Sequence, residues 1–274
     1  MKKTHVNHHF VPRFLLEPWA GDDGKLGVFK RLPNGDARYD RLSPKRVAFS
    51  EHLYSIKGAE GGPDVFVEKE IFGQHIDDIA APVHKQLLAR GIASLSEEQR
   101  AIWAKLLLAG LFRIPPMVEH FRTMGKKSFI ERQPLHSLTD IELMDEGLKL
   151  MILTIGCPKN NQKMLAAEWS LFKVPPGKLD ALTSDVPFAY FGDFFGEEFG
   201  LVVPISPSYF FVSASGTYVN RFSTMNLAWM TKATNTRLVQ HAQEFVFTTD
   251  KRHMGLINKW LGSAQKKLPP SDDA

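Results

Sequence analysis

The chain has 274 residues, with 34 Lys plus Arg against 30 Asp plus Glu, a formal charge of +4, ten His and one Cys. Hydrophobic residues at 43% and charged residues at 23% exclude a wholly disordered chain, and the lone Cys157 excludes a disulfide framework or a multi-cysteine zinc site. So mild a basic excess leaves nucleic acid open as a partner without requiring it. At the start, Lys2-Lys3 is followed by no apolar run of signal-peptide length. The longest apolar stretch, residues 104–114, contains Lys105 and Arg113 and falls short of a membrane span. The expectation is a soluble, cytoplasmic protein with no membrane partner.

Residues 1–63 open on a histidine-rich entry and then carry turn signals. Lys25 to Lys30 alternates as a strand, and Pro33-Asn34-Gly35-Asp36 predicts a hairpin turn into Ala37 to Leu42. Residues 64–166 read as helical. Asp64 is placed to cap a segment in which Val67, Ile71, His75, Ile79, Val83 and Leu87 recur at helical steps, and Pro82 is expected to kink or divide it. Ser96 with Gln99 predicts a capping box ahead of Trp103 to Phe112, a helix that must stop near Pro115-Pro116. Pro116 to Glu131 is the next helix, and Thr139 with Glu142 caps a further one over Ile141 to Ile155.

From Glu168 onward short β-like runs replace helices: Trp169 to Val174, Ala181 to Thr183, and Gly200 to Ala214. In the last of these, Pro204 and Pro207 point to an edge or bulged strand. Helices follow over Asn226 to Lys232 and around Asn235 to Gln243, then a strand at Phe245-Val246-Phe247 and a closing helix over Met254 to Leu261. The predicted fold is α+β with a single core over 1–262. An N-terminal hairpin module (1–63), a helical region (64–166) and a mixed β/α region (167–262) compose it, and 263–274 is a disordered tail.

The chemistry-bearing residues are few. His8 and His9 precede Phe10-Val11-Pro12, and imidazole serves as metal ligand or general base. Being adjacent on an extended chain they face opposite sides, so either one faces a site or both merely hydrogen-bond the turn before Pro12. Ser184-Asp185-Val186-Pro187 offers a carboxylate at a strand end, as a base or as an Asx-turn acceptor. Glu68 and His75 lie two α-helical turns apart on one face, a solvated charged face by default. Arg113 ends an apolar helix, where it complements the helix dipole or forks onto a phosphate. No P-loop, GxGxxG, HExxH or GxSxG pattern is present, so no nucleotide cofactor is expected.

The run from His8 through Phe10-Val11-Pro12-Arg13-Phe14-Leu15-Leu16 resembles the opening of the family catalogued as domain of unknown function 4238. The resemblance continues at Glu68, Arg113-Ile114-Pro115, Leu182-Thr183-Ser184-Asp185-Val186-Pro187, Pro204-Ile205-Ser206-Pro207, and Asn235 with Ala242 before Phe245-Val246-Phe247. Val186 stands where the family's pattern has Asn. The resemblance carries no established reaction, but it marks His9, Glu68, Arg113 and Asp185 as one constellation. The resulting expectation is a metal-assisted hydrolase of phosphodiester bonds in nucleic acid. His9, Glu68 and Asp185 would be catalytic, and His8, His9, Glu68 and Asp185 would hold Mg, Mn or Zn. Arg113, Ser184 and Asn235 would bind substrate. The alternative expectation is a non-enzymatic binding module, part of a toxin or phage-defence system.

Overall fold

A computed structural model describes residues 6–58, 62–177 and 179–264; most of the expected tail lies outside them. The fold is α+β, as the sequence predicts. The chain divides into two compact units, one built from Met1–Pro12 with Phe49–Ala166, the other from Arg13–Ala48 with Ala167–Ala274. The boundary read after residue 166 coincides with a passage between units, whereas residues 1–63 contribute to both.

The first unit is mainly helical. Strand Asn7–His9 pairs antiparallel with Phe49–Glu51, setting His8 opposite Ser50 and His9 opposite Phe49. The helix Glu97–Phe112 is the hub. It touches the helices Asp78–Arg90, Pro115–Arg132, Asp140–Gly156 and Pro158–Ala166, and buries Trp103, Ala104, Leu107 and Leu108. A helix apolar on most sides belongs in the middle of a bundle. Both predicted capping boxes form: Ser96 Oγ accepts from Gln99 N–H, and Thr139 Oγ1 from Glu142 N–H, with each side chain at the third position reaching back.

Helices Pro115–Arg132 and Asp140–Gly156 approach so closely that glycine is required on both. A Cβ at Gly147 would lie 2.2 Å from the Phe121 carbonyl oxygen, and one at Gly125 would lie 2.3 Å from Gly147 Cα. Gly147→Ala is therefore expected to cost about 1–3 kcal/mol through backbone displacement. Gly156→Ala, with nothing within 4 Å of its Cβ, should stay within about 0.5 kcal/mol of the native chain in the same thermal melts.

The segment expected to run helically from Asp64 departs from the prediction. Asp64 sits in a two-residue strand with its carboxylate on the Phe66 N–H, and Val67–Asp77 is wound as a π-helix before an α-helix takes over at Asp78. Pro82 lies inside that α-helix. Its missing N–H and ring bear on residue i−4, which is Asp78, the residue where the winding changes.

The second unit holds two four-stranded antiparallel sheets. One runs Glu168–Lys173, Tyr209–Ala214, Phe199–Ser206, Ala189–Gly192; the other Ala37–Leu42, Leu26–Arg31, Phe245–Thr248, Thr183–Ser184. The Leu26–Arg31/Ala37–Leu42 hairpin is the predicted one, with Gly35 at φ +91° in its turn. The run 200–214, expected as one strand, is a hairpin that turns at Pro207-Ser208. Phe199–Ser206 is an inner strand and not an edge, and it carries the bulge that was the other expectation. Pro204 is tolerated there because pairing with Ala189–Gly192 ends at Val202, and a register shift follows between Pro204 and Ser206. One continuous helix, Leu227–His241, replaces the two expected; Asn226 caps it by accepting from Ala228 and Trp229 N–H. It touches strand Ala189–Gly192 of one sheet and Thr183–Ser184 of the other. Ser263 and Ala264, the first residues of the expected tail, donate their N–H groups to the Trp260 and Gln240 carbonyls.

Candidate functional site

Strand alternation sends His8 and His9 to opposite faces, as expected for neighbours in a strand. His8 is fully buried, and its Nδ1 accepts the Tyr54 N–H at 3.0 Å. An imidazole that accepts at Nδ1 must be the neutral Nε2–H form, so that nitrogen is not open to a metal. Its ring stacks on Tyr54 at 5.7 Å. His9 is half-buried against Phe49, and its backbone N–H donates to Glu68 Oε1 at 3.1 Å.

Glu68 belongs to the π-helix, and that winding decides its company. With i→i+5 bonding there are about 4.4 residues per turn, so nine residues complete about two turns and Asp77 returns to the face of Glu68. In an α-helix the same nine residues span two and a half turns and would face opposite ways. The expected Glu68–His75 face is accordingly lost: His75 is exposed, and its Nδ1 is bonded 2.6 Å from the Glu70 carbonyl oxygen.

Asp77 meets Arg113, the residue that ends the hub helix. Arg113 Nη1 donates to Asp77 Oδ1 at 2.9 Å, and the guanidinium lies over the Phe72 ring at 5.7 Å. Arg113 is 0% exposed, and its Nε and Nη2 have no hydrogen-bond partner among the described residues. Its own carbonyl accepts the hydroxyl of Tyr54, which is also fully buried. Burial pushes the Tyr54 hydroxyl well above its ordinary range; Arg113 opposes the shift, and Glu68 and Asp77 add to it. His8, His9, Tyr54, Glu68, Asp77 and Arg113 thus form one polar group inside the first unit. Arg113 is shielded from solvent and is held by Asp77 through its guanidinium and by Tyr54 through its carbonyl.

Asp185, Ser184 and Asn235 lie in the second unit, and each is engaged by its own surroundings. Asp185 is 2% exposed and accepts three backbone N–H groups, from Gln243 at 2.8 Å, Glu244 at 2.6 Å and Phe245 at 2.8 Å. Burial raises its carboxyl to about 6, against the pull of those three donors. Ser184 Oγ accepts from the Val186 N–H and donates to the Val186 carbonyl. Asn235 accepts from the Leu182 N–H and donates to the Asp180 carbonyl, holding the loop before strand Thr183–Ser184 to the long helix.

Among the described residues no three His, Cys, Asp or Glu side chains are grouped to hold a metal ion. Nδ1 of His8 is committed to the Tyr54 N–H, and both oxygens of Asp185 to backbone N–H groups. Tyr54 and Asp77 are the members of the group that sequence reasoning misses. A helix-terminal Arg beside an apolar face signals a buried carboxylate partner, but only π-winding points to Asp77. Nothing in the sequence around Tyr54 marks it.

Among the described residues no single helix is long and apolar enough to cross a membrane. Residues 7–252 match the family model described as protein of unknown function, DUF4238. No curated protein and no solved structure matches the chain.

Proposed function

The chain belongs to the DUF4238 family of proteins of unknown function, and we propose that it cleaves phosphodiester bonds in RNA with Glu68 and His9 as its acid–base pair. One observation carries the reading. Glu68 Oε1 accepts the backbone N–H of His9, 59 residues earlier, which brings a half-buried carboxylate and a half-buried histidine to one place beside the Tyr54–Arg113–Asp77 network. A carboxylate and an imidazole together supply proton transfer in both directions. RNA suits that chemistry because its own 2′-hydroxyl is the nucleophile. Glu68 takes the 2′-hydroxyl proton, O2′ attacks phosphorus, the bond from phosphorus to O5′ breaks, and the His9 imidazolium donates its proton to O5′. The products are a 2′,3′-cyclic phosphate and a free 5′-hydroxyl. Arg113 is a positioning residue in this scheme.

The test uses end-labelled RNA and DNA of one sequence, with purified protein in excess EDTA. RNA should be cut to cyclic phosphate ends and DNA left whole. Glu68→Gln and His9→Ala should each slow cleavage by about 10²–10⁴-fold. Absence of RNA cleavage in EDTA, or cleavage indifferent to both substitutions, overturns the proposal. The binding-module reading draws on the internal engagement of Asp185, Asn235 and Arg113. A fall in melting temperature for Glu68→Gln without any cleavage by the native chain would favour it.

A further inference from the structure

The second unit carries a feature that neither the cleavage reading nor the family description uses. Alongside helix Leu227–His241 lies a cavity of about 550 Å³, within the range of small-molecule sites. Its apolar walls come from Phe191, Tyr218, Phe222 and Trp229, and the charged groups lining it are Arg221, Lys232 and Arg237, with no carboxylate among them. The cations are interleaved with the rings. Arg237 lies 4.6 Å from the Phe191 ring centroid and donates to the Tyr190 carbonyl at 2.6 Å, and Arg221 lies 5.5 Å from the Tyr218 ring. Trp229 is 59% exposed at the rim, in the first turn of the helix, while Trp19, Trp103 and Trp169 are buried.

Trp229 presents an exposed indole face beside a cationic, ring-lined cavity, placed to stack on the flat face of a ligand. Three cations and four aromatic side chains lining one cavity fit a ligand with a flat π-face and more than one negative oxygen. A fatty carboxylate, with a single anionic end and no π-face, leaves two cations uncompensated. We propose that this cavity binds a nucleotide unit, with its base stacked on Trp229 and its phosphate among Arg221, Lys232 and Arg237. The unit is either free or part of a single strand. The proposal stands on the second unit alone and does not depend on cleavage.

The experiment measures equilibrium binding of the full chain to three probes: adenosine 5′-monophosphate, a fluorescent eight-nucleotide 2′-O-methyl oligoadenylate, and laurate. The 2′-O-methyl strand has no free 2′-hydroxyl, so it is bound without being cut, and failure of binding is read separately from failure of catalysis. Saturable binding of the monophosphate or the strand is expected. Trp229→Ala should weaken it by about 5- to 150-fold, the worth of one stacked base. Lys232→Glu should weaken it and flatten its salt dependence. Both residues are exposed, so both variants should melt as the native chain does. Equal affinity for monophosphate and strand identifies a free nucleotide as the ligand; much tighter binding of the strand identifies single-stranded nucleic acid. The proposal is overturned if neither nucleotide probe binds, if both variants bind as the native chain does, or if laurate alone binds and is lost with the same substitutions.

Discussion

Asp185→Ala is expected to lower the melting temperature by about 6–20 °C. The carboxylate is buried and takes the N–H groups of Gln243, Glu244 and Phe245, which turn the chain from the end of the long helix into strand Phe245–Thr248. Truncation leaves three buried donors without an acceptor. Each such donor costs about 1–3 kcal/mol, and with partial rehydration the sum is about 3–5 kcal/mol. A domain of this size loses about 2–4 °C per kcal/mol. Asp185→Asn should fall between the two, because its amide oxygen still accepts while its NH2 faces donors. Thermal melts monitored by circular dichroism decide the matter: a change below about 2 °C for Asp185→Ala would show that the turn does not depend on this carboxylate. The same measurement separates a structural from a catalytic role, since a group poised for chemistry is commonly neutral or costly to stability.

Arg113→Ala should cost the first unit a similar amount, about 3–5 kcal/mol, because it breaks a buried ion pair and leaves a cavity beside Phe72. Arg113→Met should cost far less. Methionine fills much of the volume and removes the two buried N–H groups, Nε and Nη2, that have no partner among the described residues, while Asp77, whose side chain is 21% exposed, recovers water. The pair of substitutions therefore separates packing from charge. If both variants melt alike, the ion pair and not the volume carries the stability. If cleavage is confirmed, Arg113→Met should fold and still lose turnover, mainly in kcat, because Asp77 shares a face with Glu68 and would no longer be held.

Much of the fold was legible because its determinants are local. The two capping boxes, the Pro33-Asn34-Gly35-Asp36 turn and the Pro115-Pro116 stop each rest on hydrogen bonds or backbone limits within a few residues, and each forms where it was read. Where the reading failed, a longer-range effect had intervened. Residues 227–241 make one helix in place of the two expected, and within it Asn235 spends its amide on Asp180 and Leu182, far away in sequence. Residues 199–214 fold back because Pro207 cannot continue a ladder already bulged at Pro204. The site was half legible. His9, Glu68 and Arg113 were singled out, but Asp77 was hidden by an assumed period of 3.6, and Tyr54 by the lack of any local pattern.

By itself the sequence determined the α+β class, the lack of any thiolate chemistry beyond Cys157, and the identity of the few polar residues able to carry a reaction. Composition, turn chemistry and capping act at short range and are written residue by residue. The tertiary structure alone decided which of those residues are spent and which remain. A buried carboxylate is consumed when backbone N–H groups converge on it, as at Asp185, and that convergence depends on chain segments about 60 residues apart. The pairing of Glu68 with His9 and the return of Asp77 to the same face depend on a π-winding and a strand contact that no local signal encodes.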